Sequence, residues 1–344
     1  MQPPSSSQCS PARENRELFG SILASVSRSF YLTIRVLPGP VRLPVGLAYL
    51  LARTSDTLAD SAGVPSSERL GILREFGQWV AGAGEPSPES LARLGFLQNA
   101  IADPSERVLL DHATALLQIL QCLEAEDRTE VRRVLEVIVR GQELDLERFS
   151  TQGAMEALSS AEELEDYTYR VAGCVGEFWT RICFRHLHHY ARKDLEEMIR
   201  LGIGFGKGLQ LVNILRDAPA DLAAGRCYLP AGELERLGIA PGRLLAEPER
   251  ARPVFCHWLS RAREYLGDGY SYLKAIRPWR LRLACFLPWA IGLKTVALME
   301  RRLPLESAER VKVPRREVRR LLGWGLLAAV SNGLLERFLR RTNA

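Results

Sequence analysis

Apolar residues recur at spacings of three and four along most of this 344-residue chain. That is the period of a helix with one face against a core. The pattern is clearest in Leu109–Leu123, Val131–Leu146, Leu195–Leu215 and Leu321–Leu339, and it predicts helices there. Strand alternation with hairpin turns is nearly absent. Proline and glycine clusters fall between the helical runs, as in Leu37-Pro38-Gly39-Pro40, Gly82-Ala83-Gly84-Glu85-Pro86-Ser87-Pro88 and Ala240-Pro241-Gly242. The reading is a single all-α domain over residues 17–340 that follows a disordered tail over residues 1–16, marked by Pro3-Pro4-Ser5-Ser6-Ser7. The tail has no apolar segment of the secretory kind.

Two aspartate pairs interrupt the apolar pattern. One is Asp56 and Asp60, within Arg53-Thr54-Ser55-Asp56-Thr57-Leu58-Ala59-Asp60. The other is Asp217 and Asp221, within Gln210-Leu211-Val212-Asn213-Ile214-Leu215-Arg216-Asp217-Ala218-Pro219-Ala220-Asp221. Carboxylates four residues apart share one helix face. A lone pair of this kind is ordinarily a solvated surface feature. Here Val45 to Ala52 precedes the first pair, and Leu209, Leu211, Val212, Ile214 and Leu215 crowd the second. Like charges on half-buried helices need a compensating cation. Two such faces opposed across a cleft would hold Mg²⁺, with positions left for diphosphate oxygens. The nearby arginines would add charge-assisted bonds to the phosphates.

Composition narrows the classes. Apolar residues make up 47% of the chain and charged residues 25%, as in ordinary globular proteins. Seven scattered cysteines without a C-x-x-C, and no signal segment, point to reduced thiols and a cytoplasmic setting. Zinc lacks its ligand spacing, because His186, His188 and His189 have no cysteine pair beside them. Net charge is +5, yet residues 277–344 hold 15 Lys plus Arg against 5 Glu, which is +10 and leaves −5 for the rest. No nucleic-acid motif accompanies this basic stretch, so nucleic acid is not expected. Two apolar runs, Leu283–Leu293 and Leu321–Leu335, are shorter than the roughly 20 residues of a membrane span. The second is flanked by Arg337, Arg340 and Arg341, which suits peripheral contact with an anionic bilayer.

Three further segments carry chemistry. Val26-Ser27-Arg28-Ser29-Phe30 offers hydroxyl and guanidinium donors for a diphosphate, or merely caps a helix. Tyr167-Thr168-Tyr169-Arg170-Val171-Ala172-Gly173-Cys174-Val175-Gly176 has small residues that admit either a ligand or a neighbouring helix. Gly225-Arg226-Cys227-Tyr228-Leu229-Pro230 places an arginine just after the second pair. These five motifs, in this order over about residues 20–320, resemble the squalene/phytoene synthase family.

The resemblance implies an all-α isoprenoid synthase fold with a central apolar cavity, two prenyl diphosphate substrates joined head to head, and bound Mg²⁺. By carry-over, Asp56, Asp60, Asn213, Asp217 and Asp221 are the implied metal ligands. Ser27, Arg28, Phe30, Tyr49, Arg53, Gln210, Asn213, Arg216 and Arg226 are the implied substrate contacts. Tyr167 and Tyr169 join Asp56 and Asp217 as implied catalytic groups. The stretch Val311-Lys312-Val313-Pro314-Arg315-Arg316 is similar to the segment near the nicotinamide phosphate in the squalene-forming branch. It implies NADPH bound by Lys312, Arg315 and Arg316, coupling of two farnesyl diphosphates, and reduction to squalene. The alternatives are a non-reducing phytoene or dehydrosqualene synthase and a catalytically silent prenyl-binding relative. Arg170 stands where squalene-forming relatives have a tyrosine, and Pro314 departs from the cofactor segment.

Overall fold

The structure is a computed structural model that describes residues 18–27, 30–61, 63–149, 155–306 and 310–343. Helices dominate it, as the apolar period requires. The expected tail over 1–16 lies outside the described residues. The chain divides into two compact units, the first ending at Glu147 and the second beginning at Arg148.

The first unit opens with a π-helical turn at Leu18–Ile22. It continues through α1 (Leu23–Ser27), α2 (Phe30–Val36), α3 (Gly39–Asp60), α4 (Ser66–Ala81), α5 (Pro88–Ala100), α6 (Pro104–Asp111), α7 (Ala113–Cys122) and α8 (Ala125–Arg148). The proline and glycine clusters act as punctuation. Pro38 caps α3, and Gly82, at φ +79°, ends α4 by donating its N–H to the last carbonyls. α3 buries Val41, Val45, Leu47, Leu50, Leu51 and Leu58, so its polar stripe is confined to the other side. The helix expected over Leu109–Leu123 is two, parted at His112. Periodicity persists across such a one-residue break and cannot reveal it.

The second unit contains β1 (Glu156–Ala157), α9 (Ala161–Thr168), a π turn (Tyr169–Gly173), α10 (Cys174–His186), α11 (Leu195–Ala223) and β2 (Arg226–Cys227). These are followed by α12 (Ala231–Arg236), α13 (Pro248–Ala275), α14 (Trp279–Arg301), α15 (Arg315–Val330) and α16 (Asn332–Asn343). The strands form one two-residue parallel pair, Glu156 with Arg226 and Ala157 with Cys227. The run expected over Leu321–Leu339 is again two helices, broken at Ser331.

Alternating glycines place α11 at the centre of this unit. A Cβ on Gly206 would collide with the Ala172 carbonyl, and one on Gly202 would meet the Gly176 carbonyl at 2.8 Å. A Cβ on Gly208 would meet the Tyr265 Cβ at 2.9 Å, and one on Gly204 would strike Asp268. The 202/206 pair therefore admits the π turn and α10, and the 204/208 pair admits α13. Each glycine costs about 1 kcal/mol of helix propensity relative to alanine, which backbone-close packing on both sides offsets. The small residues at 172, 173 and 176 thus serve helix packing.

α14 is the one described helix long and apolar enough to cross a membrane, and 67% of its apolar window is buried. Its Trp289 is fully buried and donates to the Leu266 carbonyl at 2.9 Å. Phe338 of α16 packs on Phe286, Trp289 and Trp324. The run Leu283–Leu293 is accordingly core. Cys174, Cys183, Cys227, Cys256 and Cys285 are free thiols. Cys9 lies outside the described residues.

Candidate active site

Tyr49, Arg53, Asp56 and Asp60 recur at spacings of four, three and four on α3, so they form one stripe. Around it the first unit assembles partners from other helices. Gln142 of α8 is buried and donates its amide to Asp56 Oδ1. That donation orients the amide and leaves Gln142 Oε1 buried with no partner. Arg53 is ion-paired with Glu106 of α6 and lies 3.9 Å from Asp56. Tyr49 donates to the Val26 carbonyl at 3.4 Å and lies within reach of the Ser27 hydroxyl. Ser27 itself donates to the Leu23 carbonyl. Burial pushes the Tyr49 phenol up to about 12, so it stays a proton donor. Arg28 lies outside the described residues, as does the side chain of Phe30.

Asp56 has the most unusual chemistry of the stripe. The surrounding protein, then the neighbouring Asp60, push its carboxyl up to about 7, against the pull of Arg53 and Gln142. Its side chain still keeps 44% of its surface accessible. The group is deep among protein atoms yet reachable by a ligand. A bound cation would favour its ionised form.

Gln210, Asn213, Asp217 and Asp221 form the corresponding stripe on α11, which runs on through Pro219 to Ala223. Arg216 donates to Asp217 through Nε and Nη2, at 2.9 and 2.6 Å. Arg310 does the same from 93 positions further along the chain, at 2.7 and 2.7 Å. Burial pushes Asp217 up, but these two arginines outweigh it and hold the carboxyl below its ordinary value. Gly225, at φ +82°, turns the chain out of α11, and the β1–β2 pair pins the next residues. Arg226 is thereby brought back onto Asp221 at 2.9 Å. Asn213 is exposed and Gln210 half-buried.

Next to α11, Tyr167 is buried and stacks on Tyr228 with ring centroids 4.9 Å apart, and Phe149 meets Tyr228 edge-on at 5.3 Å. Tyr169 lies in the π turn and donates to Glu177 at 3.2 Å. Arg170 is held by Asp166 at 2.6 Å. Lys312, Arg315 and Arg316 are exposed.

Four residues of the site escape a reading of motifs: Gln142, Glu106, Tyr228 and Arg310. Tyr228 stands inside a motif and could have been weighed. The other three are remote in sequence from the groups they pair with, Asp56, Arg53 and Asp217, and carried no local signal.

The donor set suits a hard cation, being carboxylate and amide oxygens. Among the described residues no three His, Cys, Asp or Glu side chains gather as a complete metal cage. Each pair would supply part of a shell, which is how Mg²⁺ is usually held, with waters and phosphates completing it. The partnerless Gln142 Oε1 beside Asp56 fits that role.

Residues 23–317 match the sequence model of the squalene/phytoene synthase family. The chain is 32% identical, over 67% of its length, to a bifunctional lycopene cyclase/phytoene synthase of Leptosphaeria maculans. It spans only 37% of that relative, and little more than a third of several similar fungal proteins. It is 26% identical to a 15-cis-phytoene synthase of Synechocystis, over 79% of this chain and 73% of that one. Its fold matches a solved squalene synthase, TcSQS, with a TM-score of 0.75 at 19% identity, covering 95% of this chain and 90% of the other. The helical order, the two aspartate stripes and the match over residues 23–317 agree, and the chain belongs to the squalene/phytoene synthase family.

Proposed function

We propose that this protein joins two prenyl diphosphates head to head. The observation that carries the reading is the repeated stripe, an Asp pair one helical turn apart on α3 and again on α11, each with its own arginines. Asp56 and Asp60 in the first unit, and Asp217 and Asp221 with Asn213 in the second, would each hold Mg²⁺. Bound Mg²⁺ supplies Lewis-acid charge to the departing diphosphate. Arg53 and the protonated Tyr49 beside the first pair, and Arg216 and Arg226 beside the second, would donate to diphosphate oxygens. The stacked Tyr167 and Tyr228 rings offer π faces to an allylic cation. Their burial keeps water from quenching it.

The relatives named as phytoene synthases favour a product left unreduced. A second reading, reduction with NADPH to squalene, is supported by a specific feature. Arg310 ties the start of Val311–Pro314 to Asp217, so the basic segment begins beside a diphosphate-binding group. Arg315 and Arg316 then occupy the first turn of α15, where the helix dipole repels cations and would welcome a phosphate. Product analysis tests both. Purified protein with Mg²⁺ is offered farnesyl or geranylgeranyl diphosphate, with and without NADPH. The same hydrocarbon in both conditions supports the non-reducing reading. Squalene that appears only with NADPH, and falls in Lys312→Ala with Arg315→Ala, supports the second. Absence of any coupled product or diphosphate release removes both.

We further propose that the protein touches anionic membranes, where a hydrocarbon product would leave. On α15 the side chains of Leu326, Leu327 and Val330 are 58%, 49% and 71% exposed. Arg316, Arg319 and Arg320 precede them on the same helix, and Arg337, Arg340 and Arg341 lie on α16. Each basic residue near the surface contributes about 1 kcal/mol, screened by salt. Salt-sensitive co-sedimentation with anionic but not neutral vesicles is expected. Binding to neither, or equally to both, removes the proposal.

A further inference from the structure

Asp217 is saturated. Its two oxygens take four hydrogen bonds from Arg216 and Arg310. A carboxylate offers about four lone-pair directions, so a cation finds no vacant position on it while both arginine forks are in place. The two arginines are not held alike. Arg216 precedes Asp217 on α11 and has 24% of its side chain exposed. Arg310 comes from irregular chain ahead of α15 and has 56% exposed. Water replaces the bonds of an exposed guanidinium at little cost, so Arg310 is the one that yields.

We infer that Arg310 is an exchangeable counter-ion. It neutralises Asp217 in the absence of metal, gives the carboxylate up to an arriving divalent cation, and moves onto the diphosphate that binds with it. The inference rests on the proposed cation-binding role of Asp217. A guanidinium suits both partners, because its planar fork matches a carboxylate and a phosphate equally. The exchange leaves no charge unpaired at either end. It also couples metal arrival to phosphate capture through one side chain.

Binding measurements on the full chain test this without turnover, with Mn²⁺ as the metal probe followed by spin resonance and inorganic pyrophosphate as the anion. Arg310→Gln should bind Mn²⁺ about tenfold more tightly than wild type, and pyrophosphate in the presence of Mg²⁺ about tenfold more weakly. Arg310→Lys should retain part of the pyrophosphate affinity, keeping the charge but losing the fork. Arg302→Gln removes an exposed charge elsewhere and should shift neither value by more than about twofold. If wild type binds Mn²⁺ through Asp217 and Arg310→Gln binds it no better, the exchange is wrong and the metal reading stands. If Arg302→Gln reproduces the effect, net charge explains it and the exchange is again wrong. If wild type binds no Mn²⁺, or binds it unchanged in both Asp56→Asn and Asp217→Asn, the functional reading itself fails.

Discussion

At Asp56 and Asp60 the fold surrounds a carboxyl with protein and gives it an amide donor, Gln142. At Asp217 and Asp221 it supplies three arginines, Arg216, Arg226 and Arg310. The local motif is the same, two aspartates one helical turn apart. Burial, then Asp60, pushes the Asp56 carboxyl up, whereas Arg216 and Arg310 hold Asp217 below its ordinary value. Identical spacing therefore does not imply identical electrostatics. On the proposed reading, a cation would displace a proton from the first pair and Arg310 from the second.

The hardest test of that comparison is activity. Asp56→Asn and Asp217→Asn should each lower Mg²⁺-dependent diphosphate release by about a thousandfold or more, with helical content unchanged by circular dichroism. Near-normal release by both variants would sink the cation assignment for either pair.

Stability should separate the pairs. Without metal, Asp217→Asn leaves two guanidinium groups without their shared partner and should destabilise the protein by about 1–3 kcal/mol in denaturant unfolding. Asp56→Asn removes a carboxyl that the fold already holds part-neutral, so it should be neutral or slightly stabilising. Equal losses in the two variants would erase the distinction.

The smallest effect is in pH. Asp56 has a folded-state pKa above its unfolded value, so the folded protein binds the extra proton. Its contribution to stability is present below the ordinary carboxylate range and is lost as pH rises to about 7. Asp217 has the opposite sign: its contribution is present above that range and is lost as pH falls below it. Mn²⁺ affinity measured in Asp217→Asn, which reports the first pair, should rise between pH 6 and 8. Measured in Asp56→Asn it should stay flat over the same window. A flat profile in Asp217→Asn would mean that Asp56 is ionised throughout.

The fold class was legible because burial of one face leaves a three-and-four signature that survives in any all-α chain. Both aspartate stripes were legible for the same reason, since residues on one helix carry their geometry in their spacing. Arg216 and Arg226 were legible through proximity, although the turn of Gly225 and the β1–β2 pair were needed to show Arg226 reaching Asp221. The glycines of α11 were visible as letters, but the sequence left open whether small residues face a ligand or a helix; the Ala172 and Gly176 carbonyls decide for the helix.

The sequence by itself determined the helical class and the two acidic stripes, because these depend only on neighbours along the chain. The tertiary structure alone decided which charges meet. Gln142 reaches Asp56 across 86 positions and Arg310 reaches Asp217 across 93. A carboxylate's protonation is set by whatever stands within a few ångströms of it in space, and sequence separation of that size says nothing about distance.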